Sequence, residues 1–192
     1  MRQMGLQAHA ARTGEALSSR DAGALVESFL LAQRLDPANP GLAEQLGGVY
    51  ALDVREEGAD NTIHRQWQKS LAQYSKAVMM RPTSPYSWAN RAWTKYYLGQ
   101  VDDHFYQALA NAIRLGPWEP EVQFVVADLG FALWDKMPVE LRPEVLALAQ
   151  NAQNRYPGQI ALIAKKRGRL AEVCHFEKLA STPICKTLAQ GG

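Results

Sequence analysis

The amino-acid sequence predicts an all-α chain, a right-handed solenoid of antiparallel helix pairs closed by a C-terminal capping helix segment. Three observations predict it. Four times an alanine is followed five residues later by a proline: Ala32 to Pro37, Ala77 to Pro82, Ala112 to Pro117 and Ala152 to Pro157. A bulky or aliphatic residue (Phe29, Tyr74, Leu109) stands three positions before three of those alanines. After the first two prolines a second one, Pro40 or Pro85, opens a new apolar-periodic segment. A small alanine lets two helices cross closely, whereas proline lacks an N–H and so ends one helix or starts the next. Repeats of this kind stack side by side and build surfaces that hold other molecules.

The elements follow from that frame, within a single domain over 1–192. The first pair, 1–37, is the weakest, with one helix over about 6–17 and a second over 22–35 carrying Leu25, Phe29 and Ala32. In the second pair, 38–82, Leu42, Leu46, Gly47 and Tyr50 mark one helix by their spacing near four. A polar, glycine-containing stretch over 55–61 predicts a loop, and Trp67, Leu71, Tyr74, Ala77 and Val78 share a face of a helix over 63–80. The third pair, 83–117, opens at Pro85, pauses at Leu98-Gly99-Gln100 and continues over 102–115, with Asp102 and Asp103 favourably placed at a helix N-terminus. The fourth, 118–157, begins at Trp118-Glu119-Pro120, carries Val122, Val126, Ala127, Gly130 and Leu133, and resumes after Met137-Pro138 as a helix around 143–155. Trp118, between two prolines, is expected to pin the junction by packing, and Trp88 is expected in the core. Residues 158–192 form the cap, read as one basic helix or two short ones.

Composition narrows the function. The chain has 192 residues, 47% of them hydrophobic, with five tryptophans, which argues against disorder and for a substantial core. Lysine plus arginine number 21 against 19 acidic residues, and a net charge of +2 makes no case for nucleic acid. No run reaches the roughly 18 apolar residues of a membrane span, and the first residues lack the apolar core of a signal peptide. The chain as written is expected to be soluble.

Cys174 and Cys185 are the only cysteines. On one unbroken helix they would stand about 16 Å apart, beyond disulfide reach. Ser181-Thr182-Pro183 lies between them, a stop and turn, so a helix ending near Ala180 would let the chain fold back. Two readings are open: separate buried thiols, or a bridge closing a C-terminal hairpin. A pair straddling a turn favours the bridge, and with it an oxidising compartment.

The series Trp88, Ala92, Gly99, Ala108, Ala112, Pro117 resembles the tetratricopeptide repeat, and Phe29, Ala32 and Pro37 with Leu46-Gly47 and Tyr50 match it again. Arg91 and Lys95 depart from it, standing where an apolar residue and a tyrosine are expected, and the junctions are spaced 45, 35 and 40 residues apart. A narrower resemblance covers 81–169. The string from Arg81 through Leu115-Gly116-Pro117-Trp118-Glu119-Pro120, then Lys165-Lys166-Arg167-Gly168-Arg169 and the cysteines, is similar to tetratricopeptide-like polysaccharide biosynthesis proteins of the VpsP type. These are encoded with bacterial exopolysaccharide gene clusters. That resemblance implies an accessory protein at the periplasmic face of the inner membrane. Its membrane association would come only through an anchor absent from this chain.

The histidines His9, His64, His104 and His175 are scattered, with no metal-binding spacing and no Cys-x-x-Cys, so no metal, cofactor or catalytic residue is expected. A phosphate-cradling glycine loop and Gly-x-Ser-x-Gly are both missing. In the repeat architecture the first helices of each pair line a groove. Tyr86, Asn90, Trp93, Tyr96 and Tyr97, with Phe124, Asp128 and Phe131, are the candidate partner-binding residues, against the alternative that many are core. Aromatic side chains with a polar handle suit peptides and sugar faces alike. The basic run Lys165, Lys166, Arg167 and Arg169 reads as a solvated cap or a contact for an anionic partner. The expectation is a non-enzymatic adaptor that holds a protein component of exopolysaccharide synthesis or export. A glycan-binding module is the alternative.

Overall fold

One hydrogen bond recurs at all four alanine–proline junctions. In a computed structural model, which describes residues 19–53, 60–183 and 185–186, the residue before each proline donates its N–H to the carbonyl of the preceding alanine. The pairs are Asp36 to Ala32 at 2.9 Å, Arg81 to Ala77 at 2.8 Å, Gly116 to Ala112 at 3.0 Å and Tyr156 to Ala152 at 2.8 Å. That bond completes the last helical turn, and the proline that follows has no N–H with which to extend it. At the first three junctions a second bond turns the chain, from Asn39 to Asp36, Ser84 to Arg81 and Glu119 to Gly116, at 3.4, 3.1 and 3.2 Å. The next helix then begins on Pro40, Pro85 or Pro120, and at the fourth junction on Pro157 itself.

Among the described residues the chain is helical, without a strand. Its helices are α1 (Ser19–Leu35), α2 (Pro40–Asp53), α3 (Asp60–Met80), α4 (Pro85–Tyr97), α5 (Asp103–Leu115), α6 (Pro120–Ala132), α7 (Leu141–Gln153), α8 (Pro157–Lys166) and the short α9 (Glu177–Ala180). A 3-10 turn, Trp134–Lys136, separates α6 from α7. The helix expected over 6–17 lies outside the described residues, as does most of the loop expected over 55–61. The α3 helix starts at Asp60, three residues earlier than its apolar face suggests. None of the described helices is long and apolar enough to cross a membrane.

The chain divides into two compact units, Met1–Phe105 and Tyr106–Gly192. In the first, α2 packs on α1 and α3, and α3 on α4. Ala43, Leu46, Tyr74 and Ala77 are buried at the centre. The α2–α3 approach is close because position 47 has no side chain: a β-carbon there would lie 3.1 Å from the Tyr74 ring. Ser70 Oγ, also buried, donates to the Gly47 carbonyl at 2.8 Å. Gln33 Nε2 on α1 donates to Gln73 Oε1 on α3 at 2.9 Å.

In the second unit α6 packs on both α7 and α8, α7 on α8, and α8 on α9. Val122, Val126, Ala127, Leu129 and Phe131 are all buried, so α6 is enclosed around most of its circumference. Among the described residues the cap holds two short helices, α8 and α9, and Pro183, Cys185 and Lys186 are helical as well. Val173, Phe176 and Leu179 are buried, and Gln153 Oε1 at the end of α7 accepts the N–H groups of Lys178 and Leu179 at 2.9 and 3.2 Å. Those are orphan donors at the start of α9, satisfied by a side chain. Cys174 and Cys185 are joined by a disulfide, with α-carbons 5.5 Å apart. The α4 and α8 helices end alike: Gly99 and Gly168 take the left-handed conformation at φ 70° and 68°. Gln100 and Arg169 then donate back to Lys95 and Ala164 at 2.9 and 2.8 Å. Only glycine adopts that conformation without steric cost.

Candidate functional site

Four aromatic rings gather where α3 meets α4. Trp67 projects from α3; Trp93, Tyr96 and Tyr97 come from the last turn and a half of α4, so three of them share one short stretch of chain. Trp67 is buried and lies parallel to Tyr97, with centroids 4.7 Å apart and planes 6° off parallel. Trp93 meets both rings edge-on, at 5.4 Å from Trp67 and 4.9 Å from Tyr97. Tyr96 meets Tyr97 edge-on at 5.5 Å. Offset-stacked and edge-to-face contacts match the negative faces and positive edges of the rings. They hold Tyr97 in place while leaving it 45% exposed.

Of the other candidates on α4, Tyr86 is half-buried. Asn90 is buried, so it cannot line a partner surface as its position in the sequence suggests. Trp88 is half-buried instead of enclosed in the core, and its indole N–H donates to the Pro82 carbonyl at 2.7 Å. The two departures from the repeat pattern acquire a reason here. Arg91 lies over the Trp88 ring, 5.6 Å from its centre, so an apolar position is filled by a cation on an aromatic face. Lys95 is buried yet satisfied: its Nζ donates to Gln100 Oε1 at 3.1 Å and to Asp102 Oδ2 at 2.9 Å.

Asp102 also caps α5, accepting the Phe105 N–H at 2.9 Å. Desolvation alone would raise its pKa. The hydrogen bonds from Lys95 and Phe105, with the charges of Lys95 and His104, outweigh that and hold the carboxyl below its ordinary range. A second polar knot, which the sequence pattern does not announce, surrounds Glu44 on α2. Its carboxylate, buried, accepts Arg81 Nη2 and Ser84 Oγ, each at 2.8 Å, and Ser87 Oγ. Burial, and then the charge of Glu44, raises the pKa of the Tyr74 phenol. The only sequence signal for this knot is a charged residue inside an apolar run, between Ala43 and Leu46. Both knots fasten helices together.

In the second unit Phe124 is half-buried and meets Tyr156 edge-on at 5.3 Å. Phe131, expected on the partner face, is 1% exposed and belongs to the core, because α6 is covered on that side too. Asp128 is engaged: Arg167 Nε and Nη2 donate to its two oxygens at 2.9 and 2.6 Å, a bidentate pair, and Lys166 Nζ stands 3.8 Å away. The basic run is therefore not a uniform solvated patch. Arg167 is spent on Asp128, and Arg169 on Asp135 and Glu172. Lys165 and Lys166 are exposed. Trp118 does not pin its junction by packing. It is 71% exposed, and the corner is held instead by the turn bonds and by Gln123 Nε2, which donates to the Pro117 carbonyl at 2.7 Å.

Among the described residues no three of His, Cys, Asp and Glu are grouped so as to hold a metal ion. No protein-family model matches the chain. No solved structure matches it either. Each unit leaves an aromatic side chain exposed: Tyr97, propped by its neighbours, in the first and Trp118 in the second.

Proposed function

We propose that this chain is a non-enzymatic interaction module, a tetratricopeptide-like adaptor that holds a protein component of bacterial exopolysaccharide synthesis or export at the periplasmic face of the inner membrane. The observation that carries the reading is the exposure of Trp118 within Leu115-Gly116-Pro117-Trp118-Glu119-Pro120. Indoles are over-represented among the residues that dominate binding energy. This one sits in the segment whose resemblance to exopolysaccharide-cluster proteins is most distinctive. The repeated junction bonds and the packing of neighbouring helices are what a chain of antiparallel helix pairs requires, and on this reading the pairs form a right-handed solenoid. The disulfide suits an oxidising compartment. The charged side chains of Glu44, Lys95 and Asp128 are engaged in fastening helices.

The test is capture from bacterial envelope extracts by the wild-type chain and by Trp118→Ala. A polysaccharide-synthesis or export component recovered by the first and depleted with the second supports the reading. Failure of the wild-type chain to recover any such component overturns it.

A second reading, a glycan-binding module, is favoured by one observation: Tyr97 lies parallel on Trp67 and remains 45% exposed, the geometry on which a sugar ring stacks. Its test is tryptophan fluorescence titrated with oligosaccharide from the cognate polymer. No change at millimolar ligand removes it.

A further inference from the structure

A groove of about 490 Å³ runs between α5 and α7 in the second unit, within the size range of sites that hold a small ligand or short peptide. On one side its lining extends from Ala110 to Pro117, just past the end of α5; on the other it extends from Glu144 to Asn151 along α7. Seven residues of helix cover about 10 Å, the length of about three residues of extended peptide at about 3.3 Å each. Ala110 and Ala147 keep the walls low, and Ile113 and Leu148 are buried beneath.

The charges distinguish this groove from an ordinary helix contact. Arg114 and Glu144 both line it and both are exposed, yet they form no ion pair with each other. The guanidinium of Arg114 donates to Asn111 Oδ1 at 2.6 Å, which orients it and leaves its other N–H groups to spare. The α5 wall thus presents donors (Arg114 and the Asn111 amide), and the α7 wall presents an acceptor carboxylate at Glu144, with the Asn151 amide able to do either. Trp118 follows directly on the groove's last residue, Pro117.

We infer that this groove binds an extended peptide segment of the partner protein, one that carries an acidic and a basic side chain within about three consecutive residues. The acidic side chain meets Arg114, the basic one meets Glu144, and the side-chain amides of Asn111 and Asn151 meet the peptide backbone. The inference rests on the reading of the chain as a protein-binding module and names the chemistry of what it holds.

The experiment uses the full chain and an array of labelled alanine-based peptides bearing one aspartate and one lysine at separations of one to four residues, with all-alanine and single-charge controls. Binding is read by fluorescence polarisation. Exposed charge pairs give up to about fivefold each in affinity, so the mixed-charge peptides should bind several-fold more tightly than the controls. Arg114→Glu and Glu144→Lys should each abolish that preference. The double swap should restore it, and circular dichroism should show every variant folded. A flat response across the array, or a preference that survives both single swaps, overturns the inference. Should Trp118→Ala deplete the envelope partner while the charge swaps leave capture intact, the groove assignment fails and the adaptor reading stands. Mixed-charge selectivity without capture of any polysaccharide-synthesis or export component does the opposite: the groove stands and the exopolysaccharide role falls.

Discussion

A β-carbon added at Gly130 would stand 2.5 Å from Cγ1 of Val145, well inside the separation at which two carbon atoms rest. The α6 and α7 helices approach closely there because only the α-hydrogens of Gly130 face the Val145 side chain. Val145 cannot swing away, because a β-branched side chain has one favoured rotamer in a helix. Gly130→Ala gains up to about 1 kcal/mol of helix propensity and loses about 1–3 kcal/mol to overpacking. Net destabilisation in urea unfolding is the expected result. In a Val145→Ala background the same substitution should be neutral or stabilising, and additive costs would exclude the contact as the cause.

Glu44 should matter more than an ordinary helix-surface glutamate. Removing its carboxylate leaves the hydroxyls of Ser84 and Ser87 without their acceptor in a buried corner. Glu44→Ala is expected to cost about 1–3 kcal/mol. Glu44→Gln, which keeps an oxygen in place, should cost less. Equal losses would mean that the charge, not the hydrogen bonding, holds the junction.

Acid should weaken the α4–α5 corner through Asp102. Its pKa is depressed on folding, so the stability it contributes is present above the ordinary carboxylate range and lost as pH falls through the depressed value. Asp102→Asn keeps a capping oxygen and removes the charge. The variant should be less stable than wild type at neutral pH, by under about 1 kcal/mol for a half-exposed pair. That gap should close as pH drops below about 4. A gap independent of pH would show that capping geometry dominates.

Reduction of the Cys174–Cys185 bridge releases a short loop, and the chain-entropy estimate is about 2–4 kcal/mol. Cleavage by protease near 170–186 should accelerate in reductant and in Cys185→Ser, while the rest of the second unit stays protected. Free-thiol counting on unreduced, denatured protein from an oxidising compartment should find none. Two thiols there would overturn the pairing.

Two aromatic residues of the same unit should behave in opposite ways. Phe131→Ala opens a cavity in the core and is expected to cost about 3–5 kcal/mol. Trp118→Ala removes an exposed ring and should stay within about 0.5 kcal/mol of wild type. Thermal unfolding of the two variants checks both assignments.

The junctions are readable in the sequence. Proline cannot donate, so its position bounds a helix whatever surrounds it, and Ala77, Ala112 and Ala152 are buried one turn before each. Which aromatic faces water is not readable there, because exposure depends on how many neighbours cover a helix. Phe131 and Phe124 lie seven residues apart on one helix, yet one is enclosed and the other half-exposed. The groove between α5 and α7 has no sequence signal at all: Arg114 and Glu144 are ordinary surface charges until two helices 30 positions apart in the chain are set side by side.

From the residues alone come the helices, their stops and the small side chains at their crossings, since these depend on backbone chemistry within a few positions. Tertiary packing alone decided that Lys95 is buried beside Asp102, that Arg167 is spent on Asp128 and that Trp118 is left bare. Each of those outcomes is a competition among distant groups for the same space or the same charge, and no local pattern encodes its winner.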